Sequence, residues 1–263
     1  MDLQLKGKSV LVTASSKGLG KATALEFAKE GAKVVISSRN EEELQKTAEE
    51  LKSVSGNDHV HYVPCDITDY NSIKNLVEKT VELHGTVDVL INNSGGPPAG
   101  TFDSLTDEQW QKAFELNLLS FTRLVREVLP YMRNSGGGHI ANFTSSSIKQ
   151  TLDNLILSNT YRAGVVGLAK SLSQELAKDN ILVNTIGPGR IGTDRVAQLD
   201  AIRADKLGVT YEEVKSSTEQ NIPIGRYGKP EEFGKLVVFL CSSANTYITG
   251  QSLLVDGGLV KAL

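Results

Sequence analysis

Short apolar runs alternate with longer amphipathic stretches along this 263-residue chain. Apolar runs such as Lys8–Thr13 and Val87–Ile91 predict strands, and the intervening stretches Gly18–Glu30 and Tyr70–His84 predict helices. Repeated strand–helix–strand units with short connections favour a parallel sheet with right-handed crossovers. The nearly continuous apolar character of Val87–Ile91 is typical of a strand covered by helices on both faces. We therefore predict a doubly wound α/β fold in a single domain, residues 1–263.

The remaining elements follow the same rhythm, with one interruption. Further strands are predicted at Lys33–Ser37, Val60–Pro64, His139–Thr144, Ile181–Ile186 and Ser252–Val255, and further helices at Glu41–Ser53, from Thr106 through Phe114, at Phe121–Arg133, Leu155–Lys178 and Glu231–Cys241. The polar segment Thr193–Ile222 lies between a strand and a helix and breaks the rhythm. Ligands of open parallel sheets bind beyond the carboxyl ends of the strands, so this segment is predicted to be a lid, the alternative being a solvated surface excursion.

Composition and charge exclude several other classes of protein. The formal net charge of −3 provides no basic field to attract nucleic acid or anionic lipid. No apolar run is long enough to span a bilayer, and Met1–Lys8 carries no apolar signal-peptide core. Cys65 and Cys241 lie far apart without metal-type spacing, and the four histidines do not cluster, so no metal site is predicted. Reduced, buried thiols in a cytoplasmic protein are expected.

A glycine-containing turn follows the first predicted strand and leads into a helix. Its sequence is Thr13-Ala14-Ser15-Ser16-Lys17-Gly18-Leu19-Gly20. A strand feeding such a turn at a helix N-terminus can bind an anion, because free backbone N–H groups point at a phosphate. Two glycines alone are also compatible with an ordinary turn, and the strand–turn–helix context is what favours a pyrophosphate site.

Here the chain resembles the short-chain dehydrogenase/reductase family. The turn is similar to that family's Thr-Gly-x-x-x-Gly-x-Gly signature, and further matching stretches follow in order along nearly the whole chain. These stretches are Asn92-Asn93-Ser94-Gly95, Asn117 as the helix asparagine, Pro188-Gly189 followed by Thr193, and Ile248-Thr249-Gly250-Gln251 ending in Asp256-Gly257-Gly258. The resemblance implies a Rossmann-type doubly wound parallel sheet of about seven strands with helices on both faces. One departure is Ala14, which replaces the first glycine; we expect it at negative φ, in a slightly altered turn that still binds a dinucleotide.

The end of the second predicted strand indicates which dinucleotide binds. An acidic residue there would bind the ribose hydroxyls of NAD, but Ser38 and Arg39 stand in its place. Arg39 can pair with a 2′-phosphate, and Lys17 adds a second cation, so NADP(H) is the predicted cofactor. The resemblance implies that Asp66 and Ile67 hold the adenine edge, while Asp66 can also cap a helix. The full predicted cofactor set is Thr13, Ser15, Ser16, Lys17, Gly18, Leu19, Gly20, Ser38, Arg39, Asp66, Ile67, Asn93, Ser94, Gly95, Arg162, Pro188, Gly189, Ile191 and Thr193.

The family's Asn, Ser, Tyr and Lys set is only half present. The segment Arg162-Ala163-Gly164-Val165-Val166-Gly167-Leu168 resembles the one that begins with the family's lysine, so Arg162 takes the lysine position and Ser158 the tyrosine position. Asn117 and Ser145 are kept. An aliphatic hydroxyl is a far weaker acid than a phenol, and losing a positioned general acid costs on the order of 10²–10⁴ in rate.

Several substitutes for the missing phenol stay open at this stage. Tyr161 lies three residues after Ser158 and so near the same helix face, where it either reaches the substrate or packs in the core or at a subunit contact. A water relay through Ser158 and Arg162, or an acid supplied by the substrate, are the other options. Arg190 and Arg195 flank the lid entrance and are candidates for binding an anionic substrate group.

Two functions from different classes are compatible with these residues. The first is an NADP(H)-dependent oxidoreductase that interconverts a carbonyl and a secondary alcohol of a small molecule; within the family the chain most resembles beta-ketoacyl-acyl-carrier-protein reductases. The second is a dinucleotide-binding sensor or assembly protein with little or no turnover, which the Ser158 and Arg162 pair favours. The intact Asn117 and Ser145 favour the enzyme. The resemblance also implies a homotetramer.

Overall fold

Seven parallel strands form the centre of the protein in the computed structural model, which describes residues 1–262. The strands are β1 (Ser9–Val12), β2 (Lys33–Ile36), β3 (Val60–Tyr62), β4 (Val89–Asn92), β5 (Gly138–Phe143), β6 (Ile181–Pro188) and β7 (Ser252–Val255). They are hydrogen-bonded in the order β3-β2-β1-β4-β5-β6-β7. Every neighbouring pair is parallel, so all carboxyl ends meet at one edge of the sheet.

Nine helices connect or follow the strands in the described part of the chain. They are α1 (Gly18–Lys29), α2 (Glu41–Ser55), α3 (Tyr70–His84), α4 (Asp107–Phe114), α5 (Ser120–Asn134), α6 (Ile156–Glu175), α7 (Asp194–Leu207), α8 (Tyr211–Asn221) and α9 (Pro230–Leu240). The helices α1, α2 and α9 cover one face of the sheet, and α3, α5 and α6 cover the other. The predicted Rossmann-type doubly wound fold is therefore confirmed.

Two apolar layers hold the helices on the sheet. On the first face, Phe233 of α9 packs edge-on against Phe143 of β5, with ring centroids 4.8 Å apart. On the second face, Leu124 and Val128 of α5 are completely buried beside Leu90 of β4. Because the central strands are covered on both sides, their residues are apolar on both faces, which explains the unbroken apolar runs in the sequence.

The strand order reverses at β1: β2 and β3 extend the sheet on one side of it, and β4 to β7 extend it on the other side. Chain connections leave β1 and β4 towards opposite sides, so a crevice opens above their carboxyl ends. The loops that follow β1, β4, β5 and β6 all reach this crevice. The sheet topology thus determines where a ligand binds.

The structure changes two details of the predicted elements. The predicted helices around Phe114 and Phe121 form one continuous rod, because a π-helical turn over Glu115–Leu119 joins α4 to α5. This wider turn contains the completely buried Asn117. The polar segment Thr193–Ile222, which breaks the rhythm of predicted elements, is built almost entirely of α7 and α8.

Two further observations concern the apolar character of the helices and the state of the cysteines. Among the helices of residues 1–262, none combines the length and the apolar character that crossing a bilayer requires. Cys65 and Cys241 are both unpaired and buried, as the sequence predicted.

Candidate active site

A cleft of about 1370 Å³ opens at the carboxyl edge of the sheet, above the reversal of strand order. Pockets for single small ligands typically measure about 300–1,000 Å³, so this cleft has room for a dinucleotide and a second molecule. The turn after β1 and the ends of β2 and β3 line one part of it, and the ends of β5 and β6 with α6 and α7 line the other.

The turn after β1 presents backbone donors to the cleft. Ser16, Lys17, Gly18 and Leu19 line it. Helix α1 begins directly after Lys17, whose side chain makes no capping hydrogen bond, whereas side chains cap α2, α3 and α4. The first N–H groups of α1 are therefore available to an anion, and the helix dipole adds positive potential at the same point.

Three residues predicted to bind the cofactor form the wall behind this turn instead. Thr13 donates its hydroxyl to the Asn93 carbonyl over 2.7 Å, and Ser15 donates to the Val12 carbonyl over 2.7 Å. Gly20 is buried, and a Cβ placed there would lie 2.7 Å from the Ala14 carbonyl oxygen. None of the three lines the cleft, so their assignment as direct cofactor contacts is corrected to support of the turn.

The expectation for Ala14 was wrong in its backbone angle. We expected negative φ, and the residue lies at φ +47°, in the left-handed region that favours glycine. The Ala14 carbonyl accepts a hydrogen bond of 3.0 Å from the Asn93 side chain, which holds the turn in this shape. The chain therefore keeps the conformation of a glycine turn with an alanine in it.

The adenosine end of the cleft carries the predicted cations. Lys17, Ser38, Arg39, Asp66 and Ile67 all line it. The Ser38 hydroxyl oxygen is buried with no hydrogen-bond partner in the described chain. A buried polar atom without a partner is costly, so this hydroxyl is ready for a ligand atom.

The Asp66 carboxylate forms hydrogen bonds within its own loop and does not cap the following helix. Its Oδ1 accepts hydrogen bonds from the backbone N–H and the hydroxyl of Thr68, at 2.9 and 2.7 Å. Burial raises the pKa of Asp66, but these two hydrogen bonds and the charge of Arg39 outweigh that effect and lower it. The helix-capping alternative for Asp66 is wrong, since Asp69 caps α3.

The loop after β4 is anchored from below by Asn117. Asn93, Ser94 and Gly95 line the cleft as predicted. The Asn117 side-chain amide donates to the Ser94 hydroxyl over 2.9 Å and to the Gly95 carbonyl over 2.8 Å. The Asn117 side chain is completely buried and does not line the cleft, so the structure places this predicted catalytic residue behind the loop, where it holds the loop in position.

Hydroxyl groups and a guanidinium meet at the other end of the cleft. Ser145, Ser158 and Arg162 line it together, although they come from two different elements. The Ser158 hydroxyl lies 3.5 Å from that of Ser147, and the Ser145 hydroxyl accepts from the Ser147 backbone N–H over 3.2 Å. All of these groups can donate a hydrogen bond to an oxygen in the cleft.

Arg162 is the most unusual of these groups. Only 5% of the residue is exposed, and its Nη1 donates to the Phe143 carbonyl over 2.7 Å. No carboxylate within residues 1–262 lies close enough to form an ion pair with it. Burial lowers the pKa of Arg162 to about 10, so the guanidinium remains charged at neutral pH. A buried charge needs partners, so the remaining donors of Arg162 are available to acceptor atoms of a bound ligand.

Tyr161 is directed away from the cleft, which corrects its assignment as a catalytic candidate. Its hydroxyl donates to the Trp110 carbonyl over 3.0 Å, and its ring packs against Trp110 and Phe114 with centroids 5.8 and 6.1 Å away. Burial raises the pKa of Tyr161. The alternative of a packing role is the one that the structure supports.

The segment after β6 closes the cleft on one side. Pro188, Gly189, Ile191 and Thr193, which were predicted to bind the cofactor, line the cleft, and the Thr193 hydroxyl also caps α7. Arg190 is not free to bind an anionic substrate, because it donates to the buried carboxylate of Asp200 over 2.8 Å.

Sequence reasoning missed several residues at the mouth of the cleft. Lys112, Glu115 and Leu116 reach it from α4 and the π-helical turn, and Leu199 and Arg203 reach it from α7. No local signal marks them, because their place depends on how α4 and α7 pack over the sheet.

The site has the parts of a dinucleotide-dependent enzyme of the doubly wound class: an uncapped helix N-terminus, two cations at the adenosine end and buried donors at the other. A family model described as Enoyl-(Acyl carrier protein) reductase matches residues 13–260. The chain belongs to the short-chain dehydrogenase/reductase family.

Individual relatives cover the whole chain. The 3-oxoacyl-acyl-carrier-protein reductase FabG of Thermotoga maritima is 35% identical over 98% of this chain and 100% of its own length. L-sorbose reductase from Gluconobacter frateurii, solved with NADPH and L-sorbose, superposes with a TM-score of 0.95 at 35% identity, with both chains covered completely. An NADPH-bound short chain oxidoreductase from Pseudomonas aeruginosa PAO1, described as containing an atypical catalytic center, has a TM-score of 0.89 at 28% identity over 98% of this chain and 99% of that one.

Proposed function

We propose that this protein is an NADP(H)-dependent oxidoreductase that interconverts a carbonyl and a secondary alcohol, with 3-oxoacyl compounds among its candidate substrates. The observation that carries the proposal is one continuous cleft that joins the phosphate turn to the donor cluster of Ser145, Ser158 and Arg162. Relatives that reduce carbonyl compounds and neighbours solved with NADPH support it.

The residues at the adenosine end would hold the cofactor. The N–H groups at the start of α1 face the pyrophosphate, Lys17 and Arg39 the 2′-phosphate, and Asp66 and Ile67 the adenine. The orphaned Ser38 hydroxyl fits the same end. When bound, NADPH supplies the hydride.

The donor cluster would bind the substrate oxygen. Ser145, Ser158 and Arg162 offer hydrogen bonds that strengthen as negative charge develops on that oxygen, which is the interaction that accelerates such reactions. We propose that Ser158 and Arg162 stand at the positions of the family's Tyr and Lys. Because a serine hydroxyl is a much weaker acid than a phenol, the proton would come from water, relayed by the hydroxyl of Ser158.

Steady-state assays of NADPH consumption with ketones and 3-oxoacyl thioesters test this function. We expect turnover with NADPH, and a decrease of about 10²-fold or more in kcat for Arg162→Met because the oxyanion loses its charged donor. Tight NADPH binding by calorimetry without turnover on any substrate would favour the alternative, a dinucleotide-binding sensor or assembly protein.

The double variant Ser158→Tyr with Arg162→Lys tests whether the native pair limits the rate of carbonyl reduction. A rise in carbonyl reduction of about 10²-fold or more would mean that the native pair limits this reaction for want of an acid. A decrease would mean that the pocket is adapted to the native pair. In both cases NADPH affinity must be measured, since Arg162 also faces the ribose in our assignment.

We also propose that the chain is one domain whose segment 193–222 acts as a lid, and that it works as a cytoplasmic homotetramer. Helices α7 and α8 carry residues that line the cleft, which supports the lid. Strand β7 forms one edge of the sheet, and its four residues are only half-buried, which leaves a surface for a second copy of the chain. Light scattering of the purified protein tests the assembly.

A further inference from the structure

One face of the lid helix α7 points into the cleft. Four residues of this face line the cleft: Arg195, Val196, Leu199 and Arg203. The last three follow Arg195 by one, four and eight positions, which places all four on one side of the helix. The two arginines stand at the ends of this face and the two apolar residues lie between them. Eight residues of helix extend about 12 Å, so the face spans a good part of the substrate end of the cleft.

The two arginines carry charge that no acid of the described chain neutralises. Arg203 forms no hydrogen bond or ion pair with any other described residue. Arg195 donates only to neutral oxygens, the Gln198 amide at 3.1 Å and the Pro97 carbonyl at 3.3 Å. Arg190, by contrast, is paired with Asp200.

Helix α4 contributes one more cation to the lining of the cleft. Lys112 of α4 lines the cleft, and no described carboxylate pairs with it. Three carboxylates, Asp66, Glu115 and Asp194, also line the cleft, and none of them forms an ion pair with these cations. The same cleft has many apolar lining residues, among them Pro97, Leu116, Leu152, Leu155, Val196 and Leu199.

We propose that the substrate of this site is an oxo compound, or the matching alcohol, with an apolar body and an anionic carboxylate or phosphate group that Arg203 and Arg195 bind. The inference rests on the proposed function, since it takes the donor cluster as the place of the reacting oxygen. A guanidinium binds either anion through two parallel hydrogen bonds. Both arginines are solvent-exposed at the mouth of the cleft, so the expected preference for the charged substrate is about tenfold.

A matched series of methyl ketones tests this substrate class. Each ketone carries, at the far end of an alkyl chain of varied length, a carboxylate, its methyl ester or a phosphate. We expect kcat/KM with NADPH to be about tenfold higher for an anionic compound than for the ester of equal length, mainly through KM, and to decrease with added salt. Comparison of the carboxylate with the phosphate identifies the anion.

In the variants Arg203→Gln and Arg195→Gln the ratio of kcat/KM for the acid to kcat/KM for the ester is expected to fall towards one. Lys206→Gln is the matched control, because Lys206 is an exposed cation of α7 outside the cleft. An ester reduced as well as its acid by the wild type, or an unchanged preference in Arg203→Gln, overturns the proposal.

Equilibrium binding separates this proposal from the proposed function. If no carbonyl compound is reduced, the proposed function fails, and calorimetry on NADPH-saturated protein still decides the substrate class. Tighter binding of the acid than of the ester, lost in Arg203→Gln, supports the anion site. Equal binding of acid and ester overturns it.

Discussion

Ala14 illustrates how a single residue stores strain in the phosphate turn. Its φ of +47° places an L-residue in the left-handed region, which costs roughly 1–2 kcal/mol. Neighbouring contacts hold it there, among them the hydrogen bond of 3.0 Å from the Asn93 side chain to its carbonyl. Strain of this kind persists only where the surrounding structure fixes the backbone, and it is concentrated at ligand sites.

Replacing Ala14 with glycine is expected to stabilise the protein. The glycine removes the strain but gains freedom in the unfolded chain, so the free energy of unfolding should rise by about 0.5–1.5 kcal/mol in urea denaturation. The same change at Ala22, inside α1, should lower it by about 1 kcal/mol. A loss of stability in Ala14→Gly as large as that in Ala22→Gly would mean that the turn is not strained.

Arg39 is expected to set the choice of dinucleotide. In Arg39→Gln the dissociation constant for NADPH should rise about 10–100-fold, because a charge-assisted pair with the 2′-phosphate is lost, while that for NADH should stay constant. Fluorescence titration of the bound nicotinamide measures both. Lys46→Gln, an exposed cation of α2 outside the cleft, is the control. Parallel weakening of NADPH and NADH would contradict the assignment.

At the scale of elements, the position of α7 depends on one buried carboxylate. Asp200 is completely buried and accepts hydrogen bonds from Arg190 at 2.8 Å and from the Tyr227 hydroxyl at 2.7 Å. Arg190 follows β6 and Tyr227 precedes α9, so Asp200 joins α7 to both. Burial and the hydrogen bond to Asp200 raise the pKa of Tyr227 to about 12, so the phenol remains a donor throughout the physiological range.

Asp200→Asn is expected to loosen α7. The amide replaces one acceptor oxygen with a donor and leaves Arg190 without its counter-charge, which should cost about 2–3 kcal/mol of stability. Limited proteolysis should cleave the lid segment faster, and KM for substrate should rise more than the dissociation constant for NADPH. The control is Asp205→Asn, an exposed acid of the same helix. Identical cleavage in both variants would show that Asp200 does not anchor the helix.

For the molecule as a whole, a histidine pair that does not line the cleft couples stability to pH. His84 packs against His61 with ring centroids 5.5 Å apart, and its Nδ1 lies 3.1 Å from the Ser9 hydroxyl. Burial, followed by the charges of His61 and Lys33, lowers the pKa of His84 to about 4. The unfolded chain, with a histidine pKa near 6.5, therefore binds the proton more tightly than the folded chain does.

Stability should consequently fall as the pH drops from about 6.5 towards 4, and be fully present above 6.5. His84→Asn keeps an acceptor for Ser9 and removes the titrating ring, so its stability should vary less with pH over this window. Urea denaturation at a series of pH values measures the difference. An unchanged pH dependence in His84→Asn would assign the effect to other groups.

Much of the molecule was accessible from sequence because its signals are local. The alternation of apolar runs predicted the parallel sheet covered by helices on both faces, and the turn before Gly18 was predicted at the start of a helix, where the structure has it. Lys17 and Arg39 both line the cleft, next to the turn and the strand end that precede them in sequence. Ser145, Ser158 and Arg162 also meet in that cleft. The errors arose where a side chain can turn either way: Tyr161 faces Trp110, and Arg190 faces Asp200.

Periodicity and residue identity are properties of the chain alone, and they were enough to predict the doubly wound sheet and the edge of the sheet at which the cleft lies. The folded molecule was needed to show that Thr13, Ser15 and Asn117 support the site from behind and that Arg203 lines the cleft. These assignments depend on which hydrogen bonds close between distant segments and on how α7 lies over the sheet, and no local pattern encodes that packing.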